Sequence, residues 1–331
     1  MAPPQRTRSK SSSGPLKWAD LEVKVQSRPA PGEAELTQEI LTMLHRYAEA
    51  RLRDFGEAVG RTDDVQLTLV GFVEGKVLPF SVRAGLEQRL LLGEEALPGL
   101  SLLLSDMAVG DRQEFETVLP EDYPLATVKG KRVVFVAEVN DALEIREPSL
   151  DDPELLQSAG CESVKAFFSQ AAEAITLEAD TLEFHDMLCA VLDALRERAK
   201  ITVRPERIAS MVGAWWWERE GSVLEALDFP QEDRTASEKA WLANTELREE
   251  AERRLGNTAV LDIIAAQEGI GPGTPDAEAG SRLTRFSGIP LIQANALLKG
   301  AANPTQDLSA YLRVIEHVLE RVNIEVVPAK P

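Results

Sequence analysis

The residues most able to do chemistry are few and widely spaced in this sequence. His45, His185 and His317 lie far apart and lack the short spacing of paired metal ligands. We therefore predict no metal site and no cofactor. The glycines of the run 269–273 follow a helical segment and not a strand, so they indicate a helix-ending loop and not a nucleotide-binding motif.

The two cysteines and the N-terminal residues indicate the cellular compartment of the protein. Cys161 and Cys189 fall in helical patterns without a CxxC spacing, which favours reduced thiols in a reducing compartment. Residues 1–15 are rich in Ser, Pro, Lys and Arg, have no apolar signal-peptide core, and predict a disordered tail. No apolar run has the length of a membrane span. We expect a cytoplasmic protein without a membrane partner.

One stretch combines two predicted strands with a Pro-led turn and a Gly-Lys restart. An apolar strand runs into the Pro-led acidic turn 119–124, which contains Tyr123, and Gly130-Lys131 starts a second strand that carries Phe135. The corner 96–100, Ala-Leu-Pro-Gly-Leu, precedes this stretch and leads into a short helical run, Ser101 to Met107.

The elements that must position these residues alternate as strands from about residue 61. Val65, Leu67 and Leu69 have a period of two, and Glu74-Gly75 is a hairpin-turn signal. Further strands are predicted at 80–82, 89–92, 115–119 and 133–139. This pattern predicts a compact α+β domain in which a mostly antiparallel sheet wraps on one short helix.

The rest of the chain is predicted to be mainly helical. A strand at 21–25 precedes a helix that starts near Gly32 and is closed by Gly56 and Gly60. Pro205 is typical of the first turn of a helix. The other helical predictions, in chain order, are 154–159, 162–169, 171–200, 237–268, a new start at 274–278, and 307–322.

The net charge of the chain limits the kinds of molecule that it is expected to bind. Lys and Arg number 36 against 55 Asp and Glu, so the net charge at pH 7 is −19. A field of this sign repels phosphate backbones and argues against a nucleic-acid partner. It also favours solubility, which a protein that exposes apolar surface to other chains would need, although a well-solvated acidic surface explains it equally well.

The order of these segments resembles the trigger factor family of chaperones. The stretch from Ala96 to Phe135 resembles its FKBP-type prolyl isomerase domain. Its C-terminal helices are resembled by Pro205-Glu206-Arg207-Ile208, 247–254, 263–265 and 268–270. The resemblance implies a multidomain α+β fold, in which an FKBP-like, mostly antiparallel sheet domain is inserted into a mainly α-helical body with arms.

The domain bounds follow from this resemblance. We expect a tail at 1–15, a linker strand and helix at 16–60, the FKBP-like domain at 61–147, and a helical chaperone domain at 148–328. Trigger factors begin with a ribosome-binding domain, and residues 1–15 contain nothing similar. We therefore expect no docking to the ribosome.

The resemblance also implies roles for the aromatic stretch. FKBP-type enzymes are understood to lower the barrier of about 18–20 kcal/mol for rotation about a prolyl bond by holding proline in a dry aromatic cup. By motif position, Tyr123 is the hydrogen-bond donor, Phe135 and Phe80 are wall aromatics, and Ala96 and Leu97 are the aliphatic pair, with the Leu97 N–H as a second donor.

Three positions depart from the family pattern. Leu100 replaces an aromatic at the pocket floor, Leu69 replaces a second aromatic, and Ser81 replaces an aspartate. An aliphatic floor predicts weak or vestigial catalysis and leaves open whether the protein is an enzyme. The alternative is that Tyr123 and the residues around it simply fill the core of the domain.

The helix that starts at Pro205 contains the second set of candidate binding residues. Met211, Trp215, Trp216 and Trp217 lie on it, and three consecutive tryptophans cannot all face one core because successive residues point in different directions. We predict that at least one is exposed or packed on another segment. They form either an adaptable contact for apolar polypeptide segments or a helix buried between two layers.

Three functions remain open. The leading hypothesis is a ribosome-independent chaperone that transiently binds unfolded or nascent polypeptide, including proline-containing segments, and has a degenerate FKBP-type domain. The first alternative is an active peptidyl-prolyl cis-trans isomerase. The second is a dedicated assembly factor that binds one fixed protein partner.

Overall fold

A computed structural model describes residues 15–93, 95–121, 123–125, 127–270 and 308–328. The chain divides into two compact units. The unit that we call the terminal unit draws on Met1–Pro31, Ile175–Met211 and Arg248–Pro331, and the sheet unit on Gly32–Ala174 and Val212–Leu247. The predicted tail, apart from Pro15, and the predicted helix start at 274–278 lie outside the described residues. The expected domain bounds stay a prediction.

The described residues form eight strands and nine α-helices. The strands are β1 (Glu22–Gln26), β2 (Glu49–Leu52), β3 (Asp64–Val73), β4 (Lys76–Val77), β5 (Arg83–Arg89), β6 (Arg112–Val118), β7 (Arg132–Arg146) and β8 (Asn323–Val327). The helices are α1 (Glu33–Arg46), α2 (Leu100–Leu104), α3 (Pro153–Ser158), α4 (Val164–Ala199), α5 (Pro205–Trp216), α6 (Ser222–Ala226), α7 (Gln231–Ala243), α8 (Thr245–Glu268) and α9 (Leu308–Leu319). A π-helical turn, Trp217–Gly221, joins α5 to α6. No helix among the described residues is both long and apolar enough to cross a membrane.

The sheet unit is built on an antiparallel sheet of six strands. Strand β7 pairs with β2, β3 and β6, and β3 also pairs with β4 and β5. The alternating residues Leu67 and Leu69 of β3 and Phe135 of β7 share a core cluster with Leu100 and Leu104 of α2. This confirms the predicted mostly antiparallel sheet that wraps on one short helix. A second, smaller cluster joins Val70, Val77 and Val82 to Leu224 of α6.

Several predicted elements of the sheet unit are wrong in their bounds. The first helix ends at Arg46 and not near Gly56, because the chain continues as β2 and pairs with residues 143–146 of β7. The strands predicted at 80–82 and 89–92 are replaced by the single strand β5 at 83–89, which pairs with β3. The hairpin turn at Glu74-Gly75 is confirmed, with both residues at positive φ.

The helical predictions are corrected at two places. Residues 164–199 form one helix, α4, where the sequence predicts two. The helix predicted from 237 to 268 is two helices, α7 and α8, separated at Asn244. The backbone of Asn244 is extended, and its side chain accepts a hydrogen bond from the Leu247 N–H at 2.9 Å, so Asn244 caps a new helix.

The terminal unit has a core of its own. Residues of α4, α8 and α9, among them Phe184, Leu192, Ile264 and Ile315, pack together with Val23 of β1. Strand β8 pairs in parallel with β1, from Glu22 opposite Asn323 to Gln26 opposite Val327. The sequence predicts β1 correctly but not β8.

Candidate functional site

A cleft of about 910 Å³ lies in the sheet unit, and all the residues that line it belong to that unit. The structure brings six of the predicted site residues to its walls. They are Leu69, Phe80, Ala96, Leu97, Tyr123 and Phe135. Their roles in catalysis or binding stay predictions, because the same side chains, except Ala96, also pack in or against the core of the sheet.

Tyr123 is buried, and its hydroxyl already has a partner. The Oη atom donates a hydrogen bond to the backbone carbonyl of Pro79 at 2.9 Å. Burial raises the pKa of Tyr123, and the negative charge of Glu220 raises it further. The phenol therefore stays neutral at physiological pH, and its proton is directed at the protein's own backbone.

Phe135 can lie in the wall only because a glycine faces it. A Cβ atom on Gly71 would come within 2.9 Å of the Cε1 atom of Phe135 and equally close to Ser81. Ser81 is buried, and its hydroxyl accepts from the Gly71 N–H at 2.9 Å and donates to the Leu78 carbonyl at 2.6 Å. The Ser81 side chain thus stabilises the turn after β4.

Phe80 has an unusual backbone conformation and two contacts with the helical part of the sheet unit. Its φ is 70°, which is uncommon for a residue other than glycine and is often found at binding sites. Its N–H donates to Oε2 of Glu220 at 3.0 Å. Its ring stacks on Trp241 of α7 with ring centroids 4.9 Å apart and planes inclined by 25°.

Glu220 and Trp241 line the cleft and were not predicted from the sequence. Both are buried, at 1% and 5% exposure, and the Trp241 Nε1–H donates to Oε2 of Glu220 at 2.5 Å. Burial raises the pKa of Glu220 to about 6, although the hydrogen bonds from Trp241 and Phe80, the nearby Ser237 hydroxyl and the charge of Arg83 partly offset it.

The π-helical turn explains how an acidic residue of this segment becomes buried. Trp216 packs its ring against Gly221, where a Cβ atom would lie 2.8 Å from the ring, and its Nε1–H donates to Ser237 of α7 at 2.9 Å. These contacts hold the turn against α7, and Glu220 in the same turn points inward. In the sequence, Glu218-Arg219-Glu220 has the pattern of a solvated charged segment, so no signal distinguishes the buried carboxylate.

The remaining predicted binding residues do not line the cleft. Leu100 and Met211 are buried in the folded protein, at 0% and 6% exposure. Of the three tryptophans, Trp216 is buried, Trp215 is half-buried and Trp217 is 46% exposed. The prediction that at least one tryptophan is exposed or packed on another segment is confirmed, because Trp217 is exposed.

Comparisons with known proteins agree with the family that the motifs indicate. The chain is 24% identical over 243 residues to the trigger factor of Halothermothrix orenii, covering 72% of this chain and 55% of that protein. It is 27% identical over 298 residues to the trigger factor of a Methylobacterium species, covering 87% and 60%. With the trigger factor of Geobacter metallireducens it is 25% identical over 324 residues, covering 92% and 70%.

These alignments confirm the resemblance to the trigger factor family. The chain spans between about half and two thirds of the length of the first two relatives. No family model matches it. A solved structure described as "Promiscuous Substrate Recognition in Folding and Assembly Activities of the Trigger Factor Chaperone" aligns with 91% of this chain and 71% of its own at 18% identity. Its TM-score of 0.29 is too low to carry an argument.

Proposed function

We propose that this protein is a chaperone that binds unfolded or nascent polypeptide transiently. The similarity to trigger factors over most of the chain carries the proposal. Exposed apolar side chains give it a physical basis, since Trp217 and Leu227 of the sheet unit and Leu177 of the terminal unit are each about half exposed. Scattered contacts of this kind bind chains of many sequences weakly, and the net charge of −19 keeps such a surface soluble.

Suppression of aggregation tests the proposal. A chemically denatured client enzyme is diluted into buffer with increasing amounts of the protein, and light scattering is followed. We expect scattering to fall as the protein approaches stoichiometric amounts, and Trp217→Ser to weaken this effect. Glu232→Gln, an exposed change on α7, is the matched control. No suppression at a large excess of the wild-type protein would refute the proposal.

A second candidate function is peptidyl-prolyl isomerisation in the cleft. The observation that favours it is the convergence of Phe80, Tyr123 and Phe135 on one cleft. The bond from the Tyr123 hydroxyl to the Pro79 carbonyl supports weak activity, because that proton must be released before it can reach a substrate. Refolding of a protein limited by proline isomerisation tests this function, and Tyr123→Phe, which removes only the hydroxyl, should abolish any acceleration.

A further inference from the structure

One wall of the cleft is the edge of the sheet. The cleft-lining residues include the continuous run Ser81 to Leu86, which leads into and forms the first half of β5. Among the described residues β5 pairs only with β3. Alternate residues of such a strand direct their N–H and C=O groups outward, where they can pair with another extended chain.

This edge is irregular next to the cleft. The register between β3 and β5 shifts between Leu67 and Leu69, and Gly85 has a φ of 67°. A bulge of this kind bends a strand and re-aims its side chains, and bulges are frequent beside binding sites. Arg83, Ala84 and Gly85 are exposed, so the backbone of this part of β5 can be reached by a ligand.

Another wall comes from the helical segment. Trp241 of α7 and Phe80 form a stacked pair that lines the cleft. Glu220 holds both members of this pair through one oxygen, since Oε2 accepts from the Phe80 N–H and from the Trp241 indole. An aromatic face beside the strand edge formed by Arg83 to Leu86 suits a polypeptide in extended conformation, whose backbone pairs with the strand and whose apolar side chains pack on the rings.

We propose that this cleft binds an extended polypeptide segment along the outer edge of β5, with the stacked pair of Phe80 and Trp241 as the apolar wall and Glu220 as the residue that positions the pair. The proposal rests on the proposed chaperone function and names the binding mode of one of its sites. Trp241 contacts the ligand, whereas Glu220 acts through Phe80 and Trp241.

Backbone methylation tests the pairing with the strand edge. The probe is a fluorescein-labelled octapeptide with a central Val-Leu-Val in a Gly/Ser frame, and its affinity is measured by fluorescence anisotropy. Two isomers are N-methylated on alternate residues, one on each of the two sets. Since only one set faces the strand, we expect one isomer to bind about tenfold more weakly and the other to bind like the parent peptide. Equal affinities would overturn the proposal.

Substitutions test the wall and the positioning residue. We expect Trp241→Leu to weaken peptide binding about tenfold through the lost aromatic contact, and Glu220→Leu to weaken it similarly. Glu220→Gln keeps an oxygen acceptor for both N–H donors and should restore near-normal affinity, which a role through negative charge alone would not allow. Glu232→Gln is the control. Normal binding by Trp241→Leu would overturn the proposal.

The wild-type protein gives a measurement that does not depend on variants folding. In a ¹⁵N spectrum the peptide should shift the indole Nε1–H signal of Trp241, assigned with Trp241→Phe, and not that of Trp18 in the terminal unit. An unshifted Trp241 signal at saturating peptide would overturn the proposal. The inference and the proposed function can fail separately. If Trp241→Leu still suppresses client aggregation and the two methylated peptides bind equally well, the inference is overturned and the proposed function stands. If the peptides bind as the inference expects but the protein does not suppress aggregation, the proposed function is overturned and the inferred binding mode stands.

Discussion

The carboxyl group of Glu220 should make the sheet unit less stable as the pH rises through the weakly acidic range. Its pKa rises from 4.5 to about 6 in the folded protein, chiefly because burial penalises the charged form. Well below pH 4.5 the group is protonated in both the folded and the unfolded protein, and well above pH 6 it is ionised in both. Between these values the folded protein binds more protons, so the free energy of unfolding falls as the pH rises.

The size of the effect follows from the shift. A difference of one in pKa corresponds to about 1.36 kcal/mol, so the rise from 4.5 to about 6 corresponds to about 2 kcal/mol. Glu220→Gln removes the titration but retains an oxygen that accepts from Phe80 and Trp241. We therefore expect the free energy of unfolding of the wild type, minus that of Glu220→Gln, to fall by about 2 kcal/mol between pH 4 and pH 7.5.

The assay must report on the sheet unit, because a chain with two compact units need not unfold in one step. Hydrogen exchange of the Phe80 amide, which donates to Glu220, reports on opening at this position. Urea unfolding followed by tryptophan fluorescence over the same pH range supplies the stability. Glu232→Gln controls for the loss of one negative charge from the helical segment.

Two results would refute the reasoning. A difference in stability that stays constant across this range would mean that the folded protein does not perturb the Glu220 carboxyl group. A difference that grows with pH would mean that the hydrogen bonds from Phe80 and Trp241 outweigh burial, and the pKa would then lie below 4.5. Direct titration of the side-chain carbon by NMR, assigned with Glu220→Gln, decides between the two and should give a pKa of about 6.

Three further predictions test other parts of the molecule. Asp63 is fully buried and accepts hydrogen bonds from Arg53 and from the Gly60 N–H. Asp63→Asn should therefore lower the free energy of unfolding by about 3 kcal/mol in urea titrations. A decrease below about 1 kcal/mol would contradict the burial of the Asp63 side chain. Gly71→Ala should lower the free energy of unfolding by about 1–3 kcal/mol and shift the NMR signals of the Phe135 ring. Gly213→Ala, where a Cβ atom meets nothing within 4 Å, should leave the free energy of unfolding unchanged or raise it. Because the chain carries a net charge of −19, it should not co-sediment with ribosomes in low salt, and salt-sensitive co-sedimentation would refute this expectation.

Local signals in the sequence predict much of the fold because they depend on neighbours along the chain. The period of two in β3, the turn at Glu74-Gly75 and the helix start at Pro205 are all confirmed. The same signals fail where pairing with a distant segment decides the structure. Strand β8 has a mixed pattern of its own and is extended because it pairs with β1, which lies about 300 residues earlier.

The candidate site likewise has residues that can be predicted from the sequence and residues that only the tertiary structure reveals. The resemblance to FKBP-type domains predicts by motif position that Tyr123, Phe135 and Phe80 line one pocket, and all three line the cleft. That Glu220 and Trp241 join them is decided only by the tertiary structure. The π-helical turn buries a glutamate of a charged segment, and α7 carries Trp241 onto Phe80. A charge pattern cannot distinguish a solvated carboxylate from a buried one, because burial depends on which surface packs against it.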